Sequence, residues 1–309
     1  MSSILRSALE IGPAKYSHAS HTFYSKGASL DLTPARITIE TDRHGPLSHR
    51  ITDMVGQLTV TPDGAWSAAA RAALWPYANT TPGASLGAGS PNLVIDCNDS
   101  LGTKYTAKTA ILTAMPQLLL SSRQSMIGQA TYSLIREDNK APSEADSFLV
   151  RTEGNSFADS PLTDASIKTQ AYRGNLSGIT GLTTIETEEG WTIDFELSTV
   201  AKVSDRYGTI DFRFDSLIVR ASCIPINVSV ADIFAALKGT AVWTAGQAMT
   251  GASLALTGED GTIPITLAVG DVVGASLRFG RTDYRQGGIT FISERTLSAG
   301  ANVALFTLA

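Results

Sequence analysis

What this sequence lacks narrows it first. It holds two cysteines in 309 residues, Cys97 and Cys223, with neither a redox Cys-x-x-Cys nor zinc-ligand spacing. That argues against a disulfide framework or a thiolate metal site and places both thiols in the core. Charged residues make up only 17% of the chain, the net charge is −5, and the acidic excess falls entirely after residue 150. Without a cluster of lysine and arginine there is no face built to grip phosphates. No run of about 18 uncharged apolar residues occurs, and Met1–Ser20 lacks the apolar stretch of a signal peptide. The expectation is a chain that is cytosolic when made, and soluble. Catalytic signatures are missing too. Gly83-Ala84-Ser85-Leu86-Gly87-Ala88-Gly89 has no Lys-Ser/Thr ending and reads as a surface loop, and there is no Gly-x-Ser-x-Gly elbow or His-Glu-x-x-His. The acidic pairs at Asn98-Asp99 and Glu259-Asp260 do not follow an EF-hand spacing and read as hairpin tips. The expectation is therefore no enzyme, no cofactor and no metal.

What is present points to β-structure. Apolar residues make up 43% of the chain, enough for a packed core, while a surface of Ser, Thr, Gly and Asn suits burial against other subunits. Apolar and polar residues alternate in Ala35-Arg36-Ile37-Thr38-Ile39-Glu40, in Ile193-Asp194-Phe195-Glu196-Leu197 and around Leu58 and Val60, the pattern of half-buried strands. Turn clusters such as Asp63-Gly64, Asn98-Asp99-Ser100 and Glu259-Asp260-Gly261 separate them, so hairpins are expected. Two short helices are expected at Ser67–Leu74 and Ser229–Leu237, where alanine-rich runs follow a capping serine. His18-x-x-His21 has the spacing to put two ligands on one face, but its Ser and Tyr neighbours read as a flexible arm rather than a metal site.

The organising feature is a repeat. Thr41-Asp42-Arg43-His44-Gly45 returns as Ser204-Asp205-Arg206-Tyr207-Gly208, an offset of 205 − 42 = 163 that also pairs Arg50 with Arg213, Pro62 with Pro225 and Ala72-Ala73-Leu74 with Ala235-Ala236-Leu237. At 287 − 128 = 159 it pairs Gly128 with Gly287, Thr131 with Thr290, Tyr132 with Phe291 and Arg136 with Arg295. The division this implies is an extended arm at 1–29, a β domain at 30–140, a linker or long loop at 141–190, and a second β domain at 191–309. Open sheets leave unpaired backbone groups on their edges. If each domain passes its edge to the next, three two-domain chains close a pseudo-six-fold ring; the alternative is a monomer whose halves seal each other.

The run Leu32-Thr33-Pro34-Ala35-Arg36-Ile37-Thr38-Ile39-Glu40-Thr41-Asp42-Arg43-His44-Gly45, followed by Leu58-Thr59-Val60-Thr61-Pro62-Asp63-Gly64 and Leu74-Trp75-Pro76-Tyr77, resembles the duplicated kind of tail tube protein of long-tailed bacteriophages. In the second half the resemblance rests mainly on Ser204–Pro225, and Leu-Trp-Pro-Tyr has become Leu237-Lys238-Gly239-Thr240. The resemblance implies a mainly β fold of two tandem β-sandwich or barrel domains, each with a short flanking helix, assembled as homotrimer rings stacked into a tube. It further implies a place in the virion tail after assembly in the host cytoplasm, contacts with other tail proteins such as the tape measure and terminator, and DNA only in transit. The candidate interface residues are Asp42, Arg43, Arg50, Asp205, Arg206 and Arg213, because their charges recur at matching places and a guanidinium bridges a carboxylate across a boundary with fixed geometry. Two other readings are a different virion part on a related fold (terminator, baseplate hub or capsid decoration protein) and a carbohydrate-binding module using Trp66, Trp75, Trp191 or Trp243.

Overall fold

The computed structural model describes residues 14–63, 66–123, 125–135, 149–158, 170–177, 182–205, 207–229, 231–233, 253–262, 264–268, 270–277, 286–293 and 304–309. The fold is mainly β, in three antiparallel sheets. Eight strands form the first, in the order β10 (Leu149–Thr152), β5 (Lys104–Ala107), β4 (Leu93–Cys97), β1 (Ala14–His18), β2 (His21–Thr41), β3 (Gly45–Asp63), β9 (Ala130–Ile135), β6 (Thr109–Ala114). Six form the second: β16 (Gly270–Leu277), β17 (Gln286–Ser293), β13 (Gly208–Pro225), β12 (Thr187–Ser204), β7 (Leu118–Leu120) and β8 (Ser125–Ile127). The third is β11 (Tyr172–Leu176), β14 (Leu254–Gly258), β15 (Ile265–Leu267), β18 (Phe306–Leu308). Inward positions such as Phe23, Leu58, Tyr132, Trp191, Phe214 and Phe291 join one continuous apolar core, as alternating strands with one dry face require.

The repeat reappears as strand pairing. Hairpins β2–β3 and β12–β13 share one register from Ala28 and Trp191 to their tips: Ala28 faces Val60 as Trp191 faces Cys223, and Thr41 faces Gly45 as Ser204 faces Gly208, both pairs offset by 163 (191 − 28 and 208 − 45). At the base they part, Ser25 facing Pro62 but Thr187 facing Pro225. Their bulges coincide, after Ala35 and Ser198 and again after Ile39 and Lys202. An extra residue in a ladder re-aims everything beyond it, so matching bulges keep the same side chains on the same faces. Outside the hairpins, Tyr132 of β9 faces Leu58 as Phe291 of β17 faces Ala221, and β6 joins β9 as β16 joins β17. The order β1-β4-β5-β10 likewise recurs as β11-β14-β15-β18.

Three sequence expectations change. Residues 14–29, expected as an arm, are β1 and the start of β2, with Tyr16 and Phe23 stacked at 5.4 Å in the core. Within 141–190, expected as a linker, lie β10, which closes the first half's sheet on β5, and β11, which opens the second half's. Each strand is four or five residues of mixed polarity, and a partner far away in sequence decides its state. The β7–β8 hairpin, from within the stretch 30–140, leaves its own half and pairs with β12. Helix α1 (Ala68–Leu74) starts where expected, Ser67 accepting the Ala70 amide at 3.1 Å. Of the second expected helix, residues 231–233 are helical, with Ser229 Oγ accepting from Asp232 N at 3.1 Å; residues 234–237 lie outside the described residues. Cys97 and Cys223 are free and buried. Among the described residues no helix is long and apolar enough to cross a membrane.

His18 and His21 are the facing ends of a two-residue hairpin, with Ala19 and Ser20 at positive φ, not part of a flexible arm. His18 Nε2 lies 3.3 Å from the Ala110 carbonyl and the ring packs edge-on against Tyr132 at 5.0 Å. Burial is the main cause that lowers both imidazoles below their ordinary value. The unfolded chain therefore takes up protons first, so the stability these rings contribute is present above 6.5 and drains away as pH falls below it. We expect the urea midpoint to fall between about pH 7.5 and about pH 5.5, and His18→Gln with His21→Gln to flatten that slope.

Candidate functional site

The two hairpins reach beyond the core and end in the same turn. Thr41 pairs with Gly45 and Ser204 with Gly208 around three-residue loops, and both glycines are left-handed, at φ 64° and 72°. That conformation closes a three-residue hairpin loop without splaying its strands. Asp42 and Arg43 are exposed at the first tip and Asp205 at the second; Arg206 lies outside the described residues. Arg50 and Arg213 are exposed at matching places, across from Ile37 and Val200. The fold does not gather these side chains, and among the described residues none of Asp42, Arg43, Arg50, Asp205 and Arg213 makes an ion pair; the Arg213 backbone does lie opposite Ser85 of the first half.

What does form around the second hairpin is a contact built by the first half, from residues the sequence did not single out. The glycine-rich segment, expected as a surface loop, runs antiparallel along β13: Gly83 N donates to Phe214 O (2.7 Å), Phe214 N to Ala84 O (2.9 Å) and Leu86 N to Phe212 O (2.8 Å). Gly87 N donates to buried Asp211 Oδ1 at 2.9 Å. Beside the tip, Thr209 donates from N and Oγ1 to the Asp53 carboxylate of β3 at 2.8 and 2.5 Å. A Cβ at Gly208 would stand 2.2 Å from that carboxylate, so glycine serves both turn and docking. On the other edge, Leu118–Leu120 of β7 pair with Trp191–Ile193 of β12. The available signals were slight: one leucine inside a glycine-rich run, and three consecutive leucines flanked by polar residues.

The first hairpin has the same shape, and among the described residues none covers it in this way. Ile51, which corresponds to Phe214, is 64% exposed where Phe214 is 2%. Leu32 is 48% exposed against 8% for Phe195, Ser48 is exposed where Asp211 is buried, and Leu47 is 55% exposed. A lone exposed leucine means little, but a strip along a projecting hairpin is an apolar surface larger than scattered exposure gives. Elsewhere the aromatics are committed. Trp75 and Trp191 are buried, their indole N–H groups donating to Pro116 O (2.9 Å) and Tyr172 O (3.1 Å); Trp75 borders a pocket beside α1 but is only 3% exposed, so neither offers a ring face to a sugar. Trp66 is half-buried and donates to Ala309 O at 3.1 Å; Trp243 lies outside the described residues. Among the described residues no three His, Cys, Asp or Glu side chains converge as metal ligands. No protein-family model and no curated protein matches this sequence.

Proposed function

We propose that this chain is a non-enzymatic structural protein that associates head to tail with copies of itself, three chains closing a ring of six matching hairpins, and that stacked rings form the tail tube of a long-tailed bacteriophage. The observation that carries the reading is the unequal fate of two register-identical hairpins: the second is covered by the first half of its own chain, the first is bare. A contact that joins unlike surfaces leaves one copy of each unused at the ends, and such contacts close rings when the rotation permits. The phage assignment rests on the sequence resemblance around Leu32–Gly45 and Leu58–Gly64. The net charge of −5 suits a conduit that DNA must pass without sticking, and the same reading puts the protein in the virion tail, with the host cytoplasm as its place of synthesis. The test is negative-stain electron microscopy of the purified chain over rising concentration. Rings with three-fold or apparent six-fold symmetry, stacking into hollow tubes, are expected; monomers at every concentration overturn the reading.

A further inference from the structure

In the second half, the outer edge of β12 is occupied. Leu120, Leu119 and Leu118 pair with Trp191, Thr192 and Ile193, and both Leu118 and Leu120 are fully buried. Two further residues fit the incoming strand. Gly190 is left-handed at φ 98°, and a Cβ there would also stand 2.3 Å from the Leu120 carbonyl oxygen; Asp194 Oδ1 accepts from Gln117 Nε2 at 2.6 Å.

Both residues recur on β2, at 190 − 163 = 27 and 194 − 163 = 31, as Gly27 and Asp31. There Gly27 follows a bulge in which the Ser25 hydroxyl accepts from its N–H at 2.9 Å and donates to its carbonyl at 2.5 Å, but among the described residues neither Gly27 nor Asp31 meets a strand on the edge away from β3. A Cβ at Gly27 would meet nothing within 4 Å, and its backbone is not left-handed. Asp31 is exposed and accepts no hydrogen bond among the described residues. Beyond Tyr24, where β1 stops pairing, the edge of β2 borders an open groove of about 520 Å³. Ala28, Leu30 and Leu32 line it from β2, and Tyr16, Ile95 and Tyr105 from β1, β4 and β5.

We infer that the β2 edge at Gly27–Leu32, with the apolar groove beside it, receives an apolar strand from a second copy of this chain, as the matching edge of β12 receives β7 within the chain. The inference rests on the self-association reading and adds to it the place where one copy enters the next. Strand addition satisfies the free backbone groups of an edge while its side chains fill the groove. Glycine at 27 leaves the incoming backbone room, and the Asp31 carboxylate awaits a side-chain donor in the role Gln117 plays for Asp194. A second copy is the fitting occupant because the chain already carries this strand-and-edge pair once, and a ring needs it again at each junction between chains.

The test compares wild type, Gly27→Leu and Asp31→Lys as full-length chains. Hydrogen exchange of the Ala28–Leu32 amides is followed in dilute and in ring-forming protein, and assembly is scored by microscopy. Expected are amides that exchange freely when dilute and slowly in rings, and variants that melt like wild type yet need about 100-fold more protein to assemble, the scale of one blocked or wrongly charged strand contact. If wild type forms rings without protecting these amides and both variants assemble normally, the inference falls and self-association stands. Amides already protected in dilute protein mean that the chain covers its own groove, which also overturns the inference. If wild type never assembles, both fall.

Discussion

Replacing Trp191 by alanine lowers the free energy of unfolding by about 3–5 kcal/mol, the usual cost of deleting a buried large aromatic whose space does not collapse. Trp191 is fully buried on β12, its ring centroid 5.9 Å from Phe291 of β17. Its indole donates across to the Tyr172 carbonyl of β11 at 3.1 Å. The side chain thus ties the six-stranded sheet to the four-stranded one. Opposite it, a Cβ at Gly174 would stand 2.3 Å from the ring, so the backbone of β11 is fitted to this indole and glycine offers no side chain to fill the gap. Urea unfolding followed by circular dichroism measures the loss. A decrease under about 1 kcal/mol, the scale of an ordinary surface substitution, would mean that the two sheets of the second half do not depend on this contact.

Leu47→Asp combined with Ile51→Asp should leave the isolated chain as stable as wild type and raise the concentration needed for assembly by about 100- to 1,000-fold. Both side chains are more than half exposed in the single chain, so their removal opens no cavity. In the assembly, each apolar side chain taken out of water contributes about 1.5–3 kcal/mol, and each 1.4 kcal/mol is about a factor of ten in association. Sedimentation velocity across a concentration series reads the shift, and thermal unfolding of dilute protein supplies the control. Unchanged assembly would remove this face of the first hairpin from the contact between copies. Loss of stability in the dilute chain would show instead that the strip is already packed within one molecule.

Much of the fold was legible. The alternation around Ile37 and Phe195 marked the strands, and Asp42-Arg43-His44-Gly45 with its copy at 205–208 marked the two tips. The offset of 163 matched the hairpin register from Ala28 and Trp191 to the tips, and the shift to 159 matched β9 with β17. The described charged side chains chosen from the repeat are exposed, and of those residues Arg213 alone joins the contact between the halves, through its backbone opposite Ser85; the rest of that contact uses Asp53, Asp211, Gly83–Gly87 and Leu118–Leu120. Those were not legible because they have no counterpart that repeats as a motif. A glycine-rich stretch is ambiguous between a free loop and a strand laid on an edge until its partner is known, and the partner of Leu86 is 126 residues away at Phe212 (212 − 86).

The sequence by itself determined that the chain makes long antiparallel hairpins with glycine-closed tips, and that it makes them twice, because side-chain alternation and turn chemistry are local properties. Only the tertiary structure decided which hairpin is covered and which is bare. Leu32 and Phe195, or Ile51 and Phe214, sit at matching positions in matching strands, and nothing local separates them. Their exposure differs because a strand edge is satisfied by whatever distant segment reaches it. Among the described residues, the chain reaches only one of the two.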